Sequence, residues 1–166
     1  MNAIFTRRSI RKYTGQPVSD ELIQTLLRAA MAAPSAGNQQ PWHFVVVADH
    51  DIMDKVTEFH PHAGMLTEAP LAILACGDPT VEKFEGRWPL DCSAATENLL
   101  LAAHAKGLGA VWLAIYPVPE RIAGMRDLLG IPEQVVPFCL VSIGYPAEEK
   151  KPEDRFNPER VHNNKW

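Results

Sequence analysis

Cysteine is scarce. Cys76, Cys92 and Cys139 are the only three among 166 residues, and their odd number and wide spacing leave no disulfide framework. Each is flanked by apolar or small residues, as reduced core thiols are. No CxxC pair or histidine at ligand spacing accompanies them, so no zinc site is read. Long apolar runs are missing too: the most apolar stretch, residues 94–103, is broken by Glu97 and Asn98 and is too short to span a bilayer. The first twenty residues lack the apolar centre of a signal peptide. These absences lead to the expectation of a cytoplasmic protein with no membrane partner. An excess of positive charge is also absent, with sixteen Lys and Arg against twenty Asp and Glu, a net charge of -4, so general nucleic-acid binding is not expected. No repeat, low-complexity linker or break in composition divides the chain. Residues 1–166 therefore read as one domain, and with 46% hydrophobic residues it can bury a core.

Against that acidic balance, residues 7–15 (RRSIRKYTG) place four cations, Arg7, Arg8, Arg11 and Lys12, within six positions. Clustered guanidinium groups repel one another unless a multiply charged anion joins them, and their planar donor forks match phosphate. Further on, residues 34–42 (PSAGNQQPW) set Ser35, Asn38, Gln39 and Gln40 between Pro34 and Pro41, with Gly37 free to take positive φ. This is a loop suited to presenting hydrogen bonds between a helix and a strand.

The helix preceding that loop is read over residues 19–33, capped by Ser19, acidic in its first turn and apolar at helical spacing. Strands are read at 42–48, 71–76, 110–115 and 136–143 from short runs of β-branched and apolar residues. A helix over 90–106, apolar on most sides and stopped by Gly107, belongs in the middle of the molecule. Another lies between Pro119 and Gly130. The alternation predicts an α+β fold, an α/β/α sandwich whose central mixed sheet is flanked by helices. The tail, about 147–166, is too polar to fold alone, yet it ends in Trp166. It is either a disordered tail or an arm docked on its own body or on a second subunit.

Four motifs in order, RRSIRKY, PSAGNQQPW, DCSAATENLLLAAHAKGLGAVWL and IGYP, resemble the flavin-dependent nitroreductase family over residues 3–166. The resemblance implies a homodimer that holds FMN at the subunit interface and reduces it with NADH or NADPH in a ping-pong cycle. It implies that Arg7 and Arg8 meet the FMN phosphate and ribityl chain, with Ser9 beside them, and that Arg11 meets the N1/O2 edge of the ring. Pro34, Ser35, Ala36 and Asn38 match the loop that reaches FMN from the other subunit. Trp112, Leu113 and Ala114 fall where the backbone passes near flavin N5. Arg155 matches a phosphate-binding position in the arm, with Arg160 second to it. The implied reaction passes hydride to a small-molecule acceptor of nitroaromatic or quinone type, the chemistry carried by FMN and not by a catalytic side chain.

The chain is shorter than larger relatives, leaving only residues 77–89, with Phe84 and Trp88, to cover the site. Two other activities stay open: a specialised flavin reaction such as reductive dehalogenation or flavin fragmentation, and storage or sensing of FMN without nicotinamide turnover. Among the remaining polar residues, His60 and His62 read as a surface turn and not a metal site, and His104 as a partnered core residue. Asp91 reads as a helix cap and Cys92 as packing. Glu97 and Asn98 read as ties from the long helix to neighbouring backbone or to the second subunit.

Overall fold

The computed structural model describes residues 2–166, and its element order follows from how each helix is started and stopped. After a short helix α1 (Asn2–Thr6), α2 (Asp20–Met31) begins where the Ser19 hydroxyl accepts the Leu22 N–H, and it buries Leu26 and Ala30. Strand β1 (Trp42–Val47) leads to α3 (His50–Phe59), capped by Asp49, and then to β2 (Leu71–Gly77), buried along its whole length. The central helix α4 (Trp88–Ala105) buries residues on nearly every side, including Cys92, Thr96, Leu99 and Ala103. Strand β3 (Gly109–Ala114), helix α5 (Pro119–Leu129) and strand β4 (Val136–Gly144) complete the body, α5 ending at Gly130 with φ 64°.

The sheet order is β1-β2-β4-β3, and every neighbouring pair is antiparallel. A mixed sheet was expected. Strands β2 and β3 do run the same way, joined through α4, but β4 inserts between them, so no two parallel strands are neighbours. The one parallel pairing is the bridge between Ser9 and Ala110 on the outer edge of β3. Helices α2 and α4 cover one face over Ile73, Val141 and Ile143, and α3 and α5 cover the other over Leu74, Leu140 and Leu113. The arrangement is the expected helix-sheet-helix sandwich. Among the described residues no helix is long and apolar enough to cross a membrane.

Trp88 belongs to the core. It packs edge-on against Tyr116 (4.9 Å between ring centroids) and Phe138 (5.9 Å), which removes it from any lid. A Cβ built on Gly77 would overlap the Trp88 ring, so this strand end requires glycine. Gly77→Ala is expected to lower stability by about 1–3 kcal/mol, the usual cost of overpacking, as read by denaturant unfolding.

Candidate functional site

The cationic segment is threaded between the edge of β3 and the start of the C-terminal arm. The Ile10 N–H donates to the Ala110 carbonyl at 3.1 Å, the Arg11 N–H to Glu148 Oε1 at 2.6 Å, and the Ala147 N–H to the Lys12 carbonyl at 2.9 Å. Lys150 Nζ donates to the Ser9 carbonyl at 2.8 Å. Tyr13 locks the turn from below: its hydroxyl lies 2.8 Å from the Ile10 carbonyl and 2.6 Å from Ser142 Oγ, and burial pushes its pKa up to about 12. The Arg11 N–H, together with Lys150, holds the Glu148 carboxyl below the usual carboxylate range.

These contacts frame an open cavity of about 570 Å³ lined by Arg8, Arg11, Lys150, Lys151 and Arg155, with Glu153 its one carboxylate and Ser9 on its wall. Five cations against one anion, in a chain of net charge -4, make it the most one-sided charge cluster in this part of the molecule. The cations are not equivalent. Arg8 has its donors on the carbonyls of Arg7 (2.7 Å), Phe5 (2.9 Å), Lys151 (3.2 Å) and Glu153 (3.2 Å), so it staples the N-terminus to the arm. Four of its five guanidinium N–H groups are thus engaged by carbonyls, while among the described residues no carboxylate neutralises its charge. Arg155, largely exposed, pairs with Glu153 at 2.9 Å. Arg160 sits in a short 3-10 turn further along the arm and does not line the cavity. Among the described residues, the side chains of Arg11 and Lys151 make no hydrogen bond or ion pair. Arg7, beside the cavity, lies 3.5 Å from Glu97 through an Nε that is buried without a hydrogen-bond partner.

Residues 34–41 form a second, separate feature. Residues Ala36–Asn38 make one 3-10 turn, in which Gly37 and Asn38 both have φ 54°, a conformation glycine and asparagine tolerate. Asp91, at the start of α4, holds this loop: its Oδ1 accepts the Ala36 N–H at 2.9 Å and its Oδ2 accepts Gln39 Nε2 at 2.7 Å. Gln39 Oε1 in turn accepts the Lys83 N–H at 2.9 Å. Asp91 is therefore a loop anchor and not the expected helix cap, the cap position being Arg87. Phe84, half exposed, lies across Gly37, where an added Cβ would come within 2.6 Å of its ring. Pro34 and Asn38 are exposed, Ser35 and Ala36 half-buried, and none of the four lines the cationic cavity. Within one chain the two halves read from the sequence do not meet.

Strand β3 is exposed along its outer edge. The Ala110 carbonyl faces Ile10, and the Ala114 carbonyl faces His60 and Arg121, so by strand alternation the backbone groups of Ala110, Trp112 and Ala114 point away from β4. The N–H groups of Trp112 and Ala114 thus lie on an edge with no partner strand. The Trp112 ring packs edge-on against Phe138 at 5.5 Å. Leu113 is buried on the opposite face, and by the same alternation its backbone groups point toward β4, so it presents nothing to that edge.

His60 is buried, contrary to the surface turn expected for HPH. Its Nε2 donates to the Ala114 carbonyl at 3.0 Å, and its Nδ1 accepts the His62 N–H at 3.2 Å, which fixes a neutral tautomer. Burial, then the Arg121 charge from α5, lowers its pKa below the ordinary 6.5, with His62 adding a smaller push in the same direction. A histidine held neutral in the fold but free to protonate when unfolded contributes stability that is complete above pH 6.5 and is lost as pH falls below it. Thermal unfolding between pH 7.5 and 5 is expected to show that decline, and His60→Gln to flatten it.

His104 is half-buried and partnered by Thr6 Oγ1 at 2.7 Å, and Asn98 Nδ2 donates to the Ala29 carbonyl at 3.1 Å, both as expected. All three cysteines are free and buried, and burial pushes Cys76 and Cys139 up to about 12, so none supplies a thiolate. Sequence reasoning missed Asp91, Lys150, Lys151 and His60. The adjacent lysines beside Pro152 are the one local signal that pointed to the cavity.

Fold and site together define an α+β sandwich with a cationic cavity on one edge of its sheet. The chain belongs to the nitroreductase family, whose sequence profile matches residues 4–75 and 60–145. An Archaeoglobus fulgidus protein named "Putative NADH dehydrogenase/NAD(P)H nitroreductase" is 52% identical over 170 residues, covering all of this chain and 98% of the relative. A solved structure of the same name from Parabacteroides distasonis is 44% identical with a TM-score of 0.95, covering 99% of this chain and 97% of that one. An FMN-dependent nitroreductase from Clostridium difficile is 31% identical with a TM-score of 0.92, the match covering both chains in full.

Proposed function

We propose that this protein is an FMN-dependent oxidoreductase that passes hydride from NADH or NADPH to small nitroaromatic or quinone-like acceptors, in a ping-pong cycle. The observation that carries the reading is the cavity lined by five cations and one carboxylate, in which Arg11 and Lys151 have no partner of their own. FMN fits it: the phosphate is nearly dianionic, and the Arg11 and Lys151 side chains that line the cavity, unpaired among the described residues, are donors for an anionic group. In this reading Lys151 and Arg155 meet the phosphate, Arg7 and Ser9 the ribityl chain, and Arg8 holds the arm in place. When bound, FMN supplies two-electron hydride chemistry at N5. Arg11 sets a fixed cation where reduction adds negative charge, which favours the reduced cofactor. The edge N–H groups of Trp112 and Ala114 are donors for the ring, and Leu113 supports the strand from the core without reaching the ring.

The loop Pro34, Ser35, Ala36, Asn38 then serves the cavity of a second copy, since it cannot reach the cavity of its own chain. Exposed Phe5, Met31 and Leu90 on the body, and Phe156, Val161 and Trp166 on the arm, supply apolar surface for a homodimer. A domain spanning 1–166 and a cytoplasmic location fit the same reading. Sedimentation equilibrium with flavin absorbance tests it: a dimer carrying one FMN per chain is expected. A stable FMN-bound monomer contradicts the shared site, and failure to bind FMN contradicts the function.

A further inference from the structure

The Ala114 carbonyl accepts two hydrogen bonds, from His60 Nε2 at 3.0 Å and from Arg121 Nη1 at 2.8 Å. The donors come from different elements, His60 from the end of α3 and Arg121 from the first turn of α5, so three elements converge on one peptide group. Each donor is itself fixed. His60 is 2% exposed, its backbone N–H donates to the Val56 carbonyl at 3.0 Å, and both ring nitrogens are engaged. Arg121 has no carboxylate partner among the described residues, so its charge is directed at this carbonyl.

Ala114 is the last residue of an edge strand, where backbone pairing ordinarily frays. An unmasked carbonyl there would also present an electron-rich oxygen beside the edge that offers the Trp112 and Ala114 N–H groups. Two donors, one of them cationic, cover that oxygen, so that at Ala114 the edge offers only a donor.

We propose that His60 and Arg121 are positioning residues that clamp the end of β3, fixing the Ala114–Ile115 peptide and masking its carbonyl, so that the edge favours oxidised FMN, whose N5 accepts a hydrogen bond, over reduced FMN, whose N5 carries hydrogen. This rests on the FMN reading above. Neither side chain need touch the cofactor; both act through Ala114.

The test uses the full-length protein, with His60→Leu and the half-exposed Arg121→Ala as independent variants, and His60→Gln, whose amide restores a donor near the Nε2 position. In FMN-free protein, amide hydrogen exchange at Ile115, whose N–H shares the peptide group of the Ala114 carbonyl and donates to the Phe138 carbonyl at 3.2 Å, is expected to quicken about tenfold in both disrupting variants and to return toward wild type in His60→Gln. In FMN-loaded protein the preference for the oxidised cofactor is expected to fall about tenfold, which for a two-electron couple is a rise of about 30 mV in midpoint potential. A purely structural contact would lower the unfolding midpoint and leave the potential of the bound FMN where it was. Unchanged exchange at Ile115 in Arg121→Ala, or unchanged potentials in both variants, overturns the clamp. Failure of the wild-type protein to bind FMN overturns the functional reading instead, while the exchange measurement still decides whether Ala114 is clamped.

Discussion

Asp91→Ala is expected to lower FMN affinity at least tenfold and to destabilise the fold by about 2–4 kcal/mol, the sum that follows when one buried acceptor is removed and two donors lose it. Asp91 is 5% exposed and its two oxygens are divided between the Ala36 N–H and Gln39 Nε2. Gln39, equally buried, passes the contact on to the backbone of residues 83 and 84. Removing the carboxylate therefore releases the Ser35–Asn38 loop and the Phe84 segment together. Asp91→Asn separates the parts. Its remaining oxygen can keep the Ala36 N–H, but its amide then faces the amide of Gln39, and turning Gln39 over to relieve that clash abandons Lys83. An intermediate loss in both affinity and unfolding midpoint is expected. If Asp91→Ala binds FMN as tightly as wild type, the loop has no part in the cofactor site.

Arg11→Glu is expected to act on binding alone. The Arg11 guanidinium makes no hydrogen bond or ion pair among the described residues, and the bond from Arg11 to Glu148 is made by the backbone N–H, which the variant keeps. The fold should melt within a degree or two of wild type. FMN affinity should fall by at least tenfold, since a hydrogen bond to a charged group contributes about 1.5–3 kcal/mol and the reversed charge adds repulsion. Arg11→Ala should fall between the two, and its FMN binding should depend less on salt. Fluorescence titration at two ionic strengths reads both effects. The contrast with Asp91→Ala, which lowers stability and affinity together, separates the cradle from the loop that completes it.

Much of the fold was legible because local chemistry marks its boundaries. Ser19 caps α2 as read, Gly130 closes α5 in the left-handed conformation, and the β-branched run from Trp42 forms β1. The sheet pairing was not legible, because alternating helices and strands suggest parallel neighbours, and nothing local to β4 says that it inserts between β2 and β3. The cluster at Arg7, Arg8 and Arg11 pointed to the region of the cationic cavity, which Arg8 and Arg11 line. It could not reveal that Arg8 is engaged by carbonyls up to 145 residues away, nor that Lys150 and Lys151 join from the arm. The same limit hid His60, whose partner Ala114 lies 54 residues on, and Asp91, whose loop lies 55 residues back. A histidine beside proline resembles a turn, and an aspartate opening a helix resembles a cap. Only the tertiary contact distinguishes them.

The most direct test of the central claim is an anaerobic titration of the FMN-reconstituted protein with NADPH and then NADH, following the absorbance of oxidised flavin. One equivalent of at least one donor per bound FMN is expected to bleach it, with the colour returning when a quinone or nitroaromatic acceptor is added. Bound FMN that stays oxidised with both donors would contradict the account.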